Sequence, residues 1–112
     1  MAKATPRGGV TTNRTLKLAH TAAVEDGDVI VSNGQVLVAE GDYAADEEGI
    51  YTCMGPVEFP KVDATAIAVG DPVYWDAADG EINTDNANPQ AGVCIGVAAA
   101  ADTTVLVEQR LN

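Results

Sequence analysis

The sequence predicts an all-β fold, a small sandwich or barrel of about eight or nine short strands. Short apolar runs recur at spacings of roughly 8–12 residues, and turn-forming residues separate them. No long stretch shows the 3.6-residue period of an amphipathic helix. Ala and Val dominate the 46% hydrophobic content while aromatics make up only 4%. Small and β-branched side chains of this kind suit strands that pack in thin layers.

The strand signals of the first half begin with residues 15–18, where polar and apolar side chains alternate. The clearest local signal is Asn33-Gly34, which lies between the apolar runs 29–31 and 36–38. These two residues predict a tight hairpin, because a type I′ turn needs positive φ at both central positions. Residues 41–49 are acidic and rich in alanine, and we interpret them as a loop or a single helical turn.

The second half predicts further strands at residues 50–54, 57–61, 73–75, 81–84, 92–101 and 103–111. Pro56 and Pro60 confine the 57–61 piece to a sheet edge or a strand end, since proline cannot donate to a ladder. Asp79-Gly80 predicts the turn between 73–75 and 81–84. Residues 63–69 are compatible with either a short helix or a strand.

The domain organisation follows from the length of 112 residues, which is that of one domain. Residues 1–14 contain two glycines, a proline and several threonines, and we interpret them as a flexible N-terminal arm. Residues 15–112 then form a single β domain. No internal repeat is evident in the sequence.

The formal net charge of −11 is distributed unevenly. Lys3, Arg7, Arg14 and Lys17 lie in the first 17 positions, which contain no acid, whereas from Leu18 onward 17 acids face two bases, giving 2 − 17 = −15. A body this acidic repels phosphate backbones, so we expect no nucleic-acid partner. For the basic N-terminus, a solvated tail is favoured over a nucleic-acid arm.

The sequence also argues against a membrane protein. No apolar run approaches the ~20 residues that span a bilayer, and the polar N-terminus lacks the apolar core of a signal peptide. We therefore expect synthesis in a cytoplasm. Cys53 and Cys94 lie in apolar runs and are interpreted as buried thiols, with a disulfide left open in case their strands are neighbours.

No motif points to catalysis, a cofactor or a metal. The single histidine, His20, follows a strand signal and has no neighbouring nucleophile in the sequence. Neither glycine-rich phosphate-binding motif occurs. Asp76, Asp79 and Glu81 surround Gly80 like a loose calcium loop, but they lack the EF-hand spacing and are better explained as a solvated turn. With 17 acids, some pair of carboxylates always looks like a catalytic pair, so such a pair is no evidence for catalysis. We therefore expect a protein that is not an enzyme.

The large aromatic side chains divide between core and surface. Alternation along residues 73–75 places Val73 and Trp75 on one face and Tyr74 on the other. We interpret Trp75 as a core residue in preference to an interface anchor. Tyr74 is the interface candidate.

Four segments resemble, in order, the phage protein family DUF2190: residues 55–61 (GPVEFPK), 68–76 (AVGDPVYWD), 92–100 with the run IGVA, and the closing strand that ends RLN. The resemblance covers about half the chain, and the four pieces together are more specific than any one of them. Residues 22–39 follow the glycine-rich opening of the family only loosely, and residues 1–14 look like an added arm.

Members of this family look like capsid decoration or cement proteins. The resemblance therefore implies a bacteriophage virion protein, made in the host cytoplasm, that binds the outside of the assembled capsid and stabilises it. Its partner would be the major capsid protein, and no catalytic residue is implied. We expect a homo-oligomer, a dimer or trimer on a local symmetry axis, because several contacts multiply a modest affinity. The alternative is a low-copy assembly or tail-associated β binding module.

The basic residues of the arm are the candidate contacts with the capsid or with a neighbouring subunit. They are Lys3, Arg7, Arg14 and Lys17. Opposite charge on the capsid surface would attract them, and the acidic body would face solvent.

Overall fold

The computed structural model describes residues 3–6 and 13–111, and in them nine strands form one antiparallel sheet. The strands are β1 (Thr5–Pro6), β2 (Arg14–Ala19), β3 (Val29–Ser32), β4 (Gln35–Ala39), β5 (Glu48–Pro60), β6 (Pro72–Asp76), β7 (Glu81–Asn83), β8 (Gln90–Cys94) and β9 (Thr104–Gln109). The sheet curls into a half-barrel, which confirms the all-β prediction. This part of the chain contains no helix that could cross a membrane.

The predicted hairpin at Asn33-Gly34 is confirmed. Both residues have positive φ, 54° and 79°, and Ser32 pairs with Gln35 on either side of them. Residues 41–47 form a loop, which is one of the two interpretations of that segment, and residues 48–49 belong to β5; residues 63–69 form neither a helix nor a strand. In each, one residue forms an isolated bridge and a turn follows: Tyr43 bridges to Val24 in the first. Ile67 bridges to Ala98 in the second, so its alanine content does not produce a helix.

β5 differs from the prediction because one 13-residue strand replaces two short ones. A sheet edge or a strand end had been predicted for the two prolines: Pro60 does end β5, but the strand runs through Pro56 inside the sheet. Pro56 lies between the points at which β1 and β2 pair with β5, and its carbonyl accepts a hydrogen bond from Asn13 Nδ2 at 2.8 Å. In an extended strand the N and C=O of one residue point to the same side. The backbone N of Pro56 therefore points to the gap between β1 and β2, where no hydrogen bond between strands is required.

The sheet contains an internal repeat, which the sequence analysis missed. The N-terminal unit comprises β2, β3, β4 and residues 48–54 of β5, with strand order β2–β5–β4–β3. The C-terminal unit comprises residues 55–60 of β5 with β6, β8 and β9, in the matching order β5–β9–β8–β6. β7 is an additional edge strand of the second unit.

Equivalent residues of the two units make equivalent backbone hydrogen bonds. Val24 and Tyr43 exchange two bonds of 2.9 and 3.0 Å, as Ile67 and Ala98 do. Gly27 N–H donates to Ala39 O at 2.8 Å, and in the C-terminal unit Gly70 N–H donates to Cys94 O at 2.8 Å. Glu40 N–H donates to Ile50 O, and Ile95 N–H donates to Leu106 O, both at 3.0 Å. These bonds fix which positions correspond.

Four acid turns lead into β3, β5, β6 and β9. In each turn a carboxylate accepts a hydrogen bond of 2.8–2.9 Å from the backbone N–H three residues earlier. The N–H of the same acid donates back to the carbonyl of that earlier residue. The four acids are Asp28, Glu47, Asp71 and Asp102. Side-chain bonds of this kind close a turn locally, so these acids serve the fold.

Two hydrophobic clusters form the core. The larger, cluster 1, joins the inner face of the C-terminal unit, with Phe59 and Trp75, to Val29, Val36 and Val38 of the N-terminal unit. Cluster 2 covers the opposite face of the N-terminal unit and centres on Tyr51. The predicted core position of Trp75 is confirmed, since it is 1% exposed and packs 6.0 Å from the Phe59 ring.

Gln109 joins the two units where β9 ends. Its side chain is fully buried, and Nε2 donates to the carbonyls of Val36 at 2.7 Å and Thr52 at 3.1 Å. Two strands of the N-terminal unit are thereby hydrogen-bonded to a strand of the C-terminal unit.

Candidate interaction surface

Lys3 lies against the body of the protein. Its Nζ pairs with Glu25 at 3.1 Å and also with Asp28, and the backbone N–H of Ala4 donates to Gly27 O at 2.9 Å. Ala4 is buried in cluster 1, and β1 pairs with β5. Within the predicted arm, residues 3–6 are therefore attached to the N-terminal unit through its first acid turn. Arg7 lies outside the described residues.

The pairing at Lys3 changes the pKa of both partners. The hydrogen bond to Asp28 is the largest influence on Lys3 and raises its pKa above the ordinary value. For Asp28, burial acts to raise the pKa, but the hydrogen bonds from Lys3 and from the Glu25 N–H outweigh it and lower the pKa below the ordinary value. Lys3 is thus occupied within its own chain.

Arg14 and Lys17 form a basic edge on β2. Both side chains are exposed, and neither forms an ion pair with any described residue. β2 has β5 as its one neighbour among the described strands, and Lys17 lies opposite Ile50, which is 43% exposed. Of the four predicted basic contacts, these two lie three residues apart on one strand, and both are exposed to solvent.

Tyr74 lies on the outer face of the C-terminal unit. Its neighbours along β6, Val73 and Trp75, point into cluster 1, so the predicted alternation is confirmed. Tyr74 is half-buried and pairs with Asn83 on β7 and Gln90 on β8. The basic edge and Tyr74 therefore belong to different units of the sheet.

An apolar patch on the C-terminal unit was missed by the sequence analysis. It consists of Val69, Ile95 and Val97, which are 58%, 40% and 80% exposed. Cys94 is buried in cluster 1, whereas Ile95 and Val97, which follow it in the chain, face solvent. The sequence signal that relates the patch to the N-terminal unit is the short match between residues 24–28 (VEDGD) and 67–71 (IAVGD).

Lys61 supports the loop that follows this patch. The side chain is 4% exposed, and its Nζ donates to the carbonyls of Val62 at 2.7 Å, Asp102 at 3.2 Å and Ala100 at 3.4 Å. A buried ammonium group with three carbonyl acceptors is well satisfied. Lys61 therefore fixes the acid turn that begins just after Val97.

The region resembling a calcium loop is an ordinary turn with hydrogen-bonded carboxylates. Asp76 Oδ1 accepts from the backbone N–H groups of Ala78 at 3.0 Å and Asp79 at 3.2 Å. Burial, and then the nearby charges of Asp79, Asp63 and Asp76, raise the pKa of Glu81. Among the described residues, no three His, Cys, Asp or Glu side chains are arranged to hold a metal ion.

The two cysteines are free thiols in different clusters. Cys53 belongs to cluster 2 and Cys94 to cluster 1, and both are buried. Cys53 Sγ donates to Arg14 O at 3.5 Å, and burial raises the pKa of this thiol. The interpretation as buried thiols is confirmed, and the disulfide alternative is not realised.

The family comparison decides the class of protein. The sequence model of the family described as phage cement protein matches residues 10–109. The chain belongs to the phage cement protein family. The resemblance to DUF2190 is confirmed, since this is the same family. No curated protein and no solved structure matches the chain.

Family membership has three consequences. A phage cement protein is a structural component of the virion capsid, so the chain associates with a capsid. The family is non-enzymatic, in agreement with the prediction. The interaction surface is therefore the functional site.

Proposed function

We propose that this cement protein binds the outer surface of the assembled capsid and stabilises it by bridging neighbouring capsid subunits. The match of the cement protein family to residues 10–109 carries this proposal. A ligand that binds only the assembled lattice shifts the equilibrium towards that lattice by mass action. Several linked copies would multiply a modest affinity per site, which is the reason to expect a dimer or trimer.

The basic edge supplies one contact in this proposal. Arg14 and Lys17 are exposed on a body that is otherwise strongly acidic, and neither forms an ion pair with the carboxylates that hold Lys3. An acidic region of the major capsid protein would attract them, and Arg7 belongs to the same N-terminal segment. Tyr74, on the other unit, stays a predicted contact.

Co-sedimentation with the cognate capsid tests the proposal. Purified protein is mixed with expanded and unexpanded empty shells, and the pelleted protein is measured against the capsid subunit. We expect saturable binding to expanded shells at a fixed ratio, with a raised temperature of capsid disruption. No binding to either form would refute the proposal, and a few copies per particle would favour the low-copy assembly or tail-associated module.

A charge-reversal pair tests the basic edge. We expect Arg14→Glu with Lys17→Glu to weaken capsid binding by about tenfold, and we expect wild-type binding to weaken as salt is raised. Arg110→Glu is the matched control, because Arg110 is also exposed and lies beyond β9. Equal affinity for wild-type protein and the double variant would remove the basic edge from the proposal and leave capsid binding itself intact.

A further inference from the structure

The apolar patch brings together three of the five large hydrophobic side chains that are exposed among the described residues. The segments 67–71 and 94–98 run antiparallel: Ile67 bridges to Ala98, and Gly70 and Asp71 exchange backbone hydrogen bonds with Cys94. Val69 therefore lies across from the segment that carries Ile95 and Val97. Leu106 extends the patch, because Ile95 N–H donates to its carbonyl and its side chain borders Gly96.

The internal repeat provides a control for this patch. The equivalent positions of the N-terminal unit, fixed by the shared hydrogen bonds, are occupied by acids. Asp26 corresponds to Val69, Glu40 to Ile95, and Asp42 to Val97. The same backbone thus accommodates charged side chains at all three positions, so the fold does not require apolar ones. Clustered exposed apolar side chains without a folding role indicate an interaction site.

We propose that Val69, Ile95 and Val97 form the apolar centre of a contact with the major capsid protein, which rests on the proposed function. The segments 67–71, 94–102 and 104–109 contain the acids Asp71, Asp102 and Glu108 and no base. The surface that fits is therefore an apolar area flanked by basic groups, since interfaces commonly have an apolar centre and a polar rim.

A second copy of the chain fits this surface less well. Each copy carries a formal charge of −11, and contact through the patch would bring two acidic rims together. Repulsion of this kind opposes self-association, while the same rim favours a partner with basic groups. Charge complementarity therefore selects the capsid subunit as the occupant.

The test replaces each patch residue by the acid found at the equivalent position. The triple variant Val69→Asp, Ile95→Glu, Val97→Asp is compared with wild type in co-sedimentation with expanded shells, and folding is checked by circular dichroism and thermal midpoint. We expect the affinity to fall by at least about tenfold. Leu111→Glu is the matched control, because Leu111 is 43% exposed, close to the 40% of Ile95, and lies outside the patch.

The outcomes separate this inference from the proposed function. If wild-type protein does not bind the shells, the proposed function itself fails. If wild type and the patch variants bind equally, the patch inference fails and capsid binding stands. Should the triple variant not fold, Val97→Asp alone serves, since Val97 is 80% exposed. A patch variant that turns an oligomer into a monomer in sedimentation velocity, with unchanged affinity per site, would overturn the choice of partner.

Discussion

The two units of the sheet share one backbone plan but cover their inner faces differently. In the C-terminal unit the inner face is buried by the N-terminal unit, whose Val29, Val36 and Val38 enter cluster 1. Within residues 3–6 and 13–111, no second sheet covers the corresponding face of the N-terminal unit. There the ring of Tyr43 packs on Tyr51 at 5.7 Å, whereas the equivalent position of the C-terminal unit is Ala98.

This difference separates side chains that maintain the backbone plan common to both units from side chains that one unit needs because of its place in the sheet. The acid turns occur in both units, and so they belong to the shared backbone plan. Tyr43 occurs in one, and it acts like the capping side chains of repeat proteins, which close a face that has no next unit. The apolar patch is also confined to one unit, which is the reason to assign it to a partner.

The largest effect on stability is expected at Gly92, because the side chain that fits at this position differs greatly in size between the two units. Gly92 pairs with Val73, and the equivalent residue of the N-terminal unit, paired with Ile30, is Leu37. A Cβ at Gly92 would lie 1.9 Å from the carbonyl oxygen of Glu108. Because backbone must move to accept it, Gly92→Ala should lower the free energy of unfolding by about 3 kcal/mol in chemical denaturation.

Gly34→Ala is the control for Gly92→Ala. A Cβ at Gly34 meets nothing within 4 Å, but the positive φ of 79° makes an alanine strained. We expect a cost of about 1 kcal/mol from backbone conformation alone. If the two variants cost the same, close approach of β8 and β9 is not what requires glycine at position 92.

Tyr43→Ala should have the next largest effect, because it uncovers cluster 2. A Cβ at Gly49 would lie 2.4 Å from the Tyr43 ring, so the ring lies directly on that glycine, whereas the position equivalent to Gly49 holds Val105. We expect a loss of about 2 kcal/mol in the free energy of unfolding, with increased binding of a hydrophobic dye. Tyr43→Phe should cost less than about 0.5 kcal/mol, because the hydroxyl makes one long, exposed bond of 3.4 Å to Ile50 O. Equal losses in both variants would show that the hydroxyl, and not the ring, holds the cluster.

Local patterns in the sequence were sufficient for the strands and for several side-chain positions. Asn33-Gly34 fixes its own hairpin, and the alternation around Trp75 gives both its burial and the outward position of Tyr74. Such features depend on neighbouring residues only. Pro56 shows the limit, because its place inside β5 depends on where β1 and β2 pair with that strand.

The candidate site was less accessible to sequence reasoning, because it depends on contacts between distant segments. Lys3 reads as a free cation in the sequence, but the fold brings it to Asp28, 25 positions away. The segments that carry Val69 and Val97 are brought together by the backbone bridge between Ile67 and Ala98. The internal repeat was hidden because the C-terminal unit carries the additional strand β7, and because equivalent positions such as Asp26 and Val69 differ in chemistry.

The smallest expected effect concerns the acid turn that Lys3 reaches. Asp28 forms an ion pair with Lys3, whereas its equivalent Asp71 has no ion pair among the described residues. The folded pKa of Asp28 lies below its ordinary 3.8, so the stability gained from the carboxylate is present above that value and is lost as the pH falls through the folded pKa. The raised pKa of Lys3 adds stability that is fully present below its ordinary 10.5.

Lys3→Met should therefore lower the thermal midpoint slightly between about pH 5 and 8, and the difference from wild type should shrink as the pH drops below about 4. Lys17→Met, at an exposed lysine without a described ion pair, should leave the midpoint unchanged across this range. A Lys3→Met difference that is the same at every pH would mean that residues 3–6 are held by the burial of Ala4 and the β1 pairing, and not by the charge on Asp28.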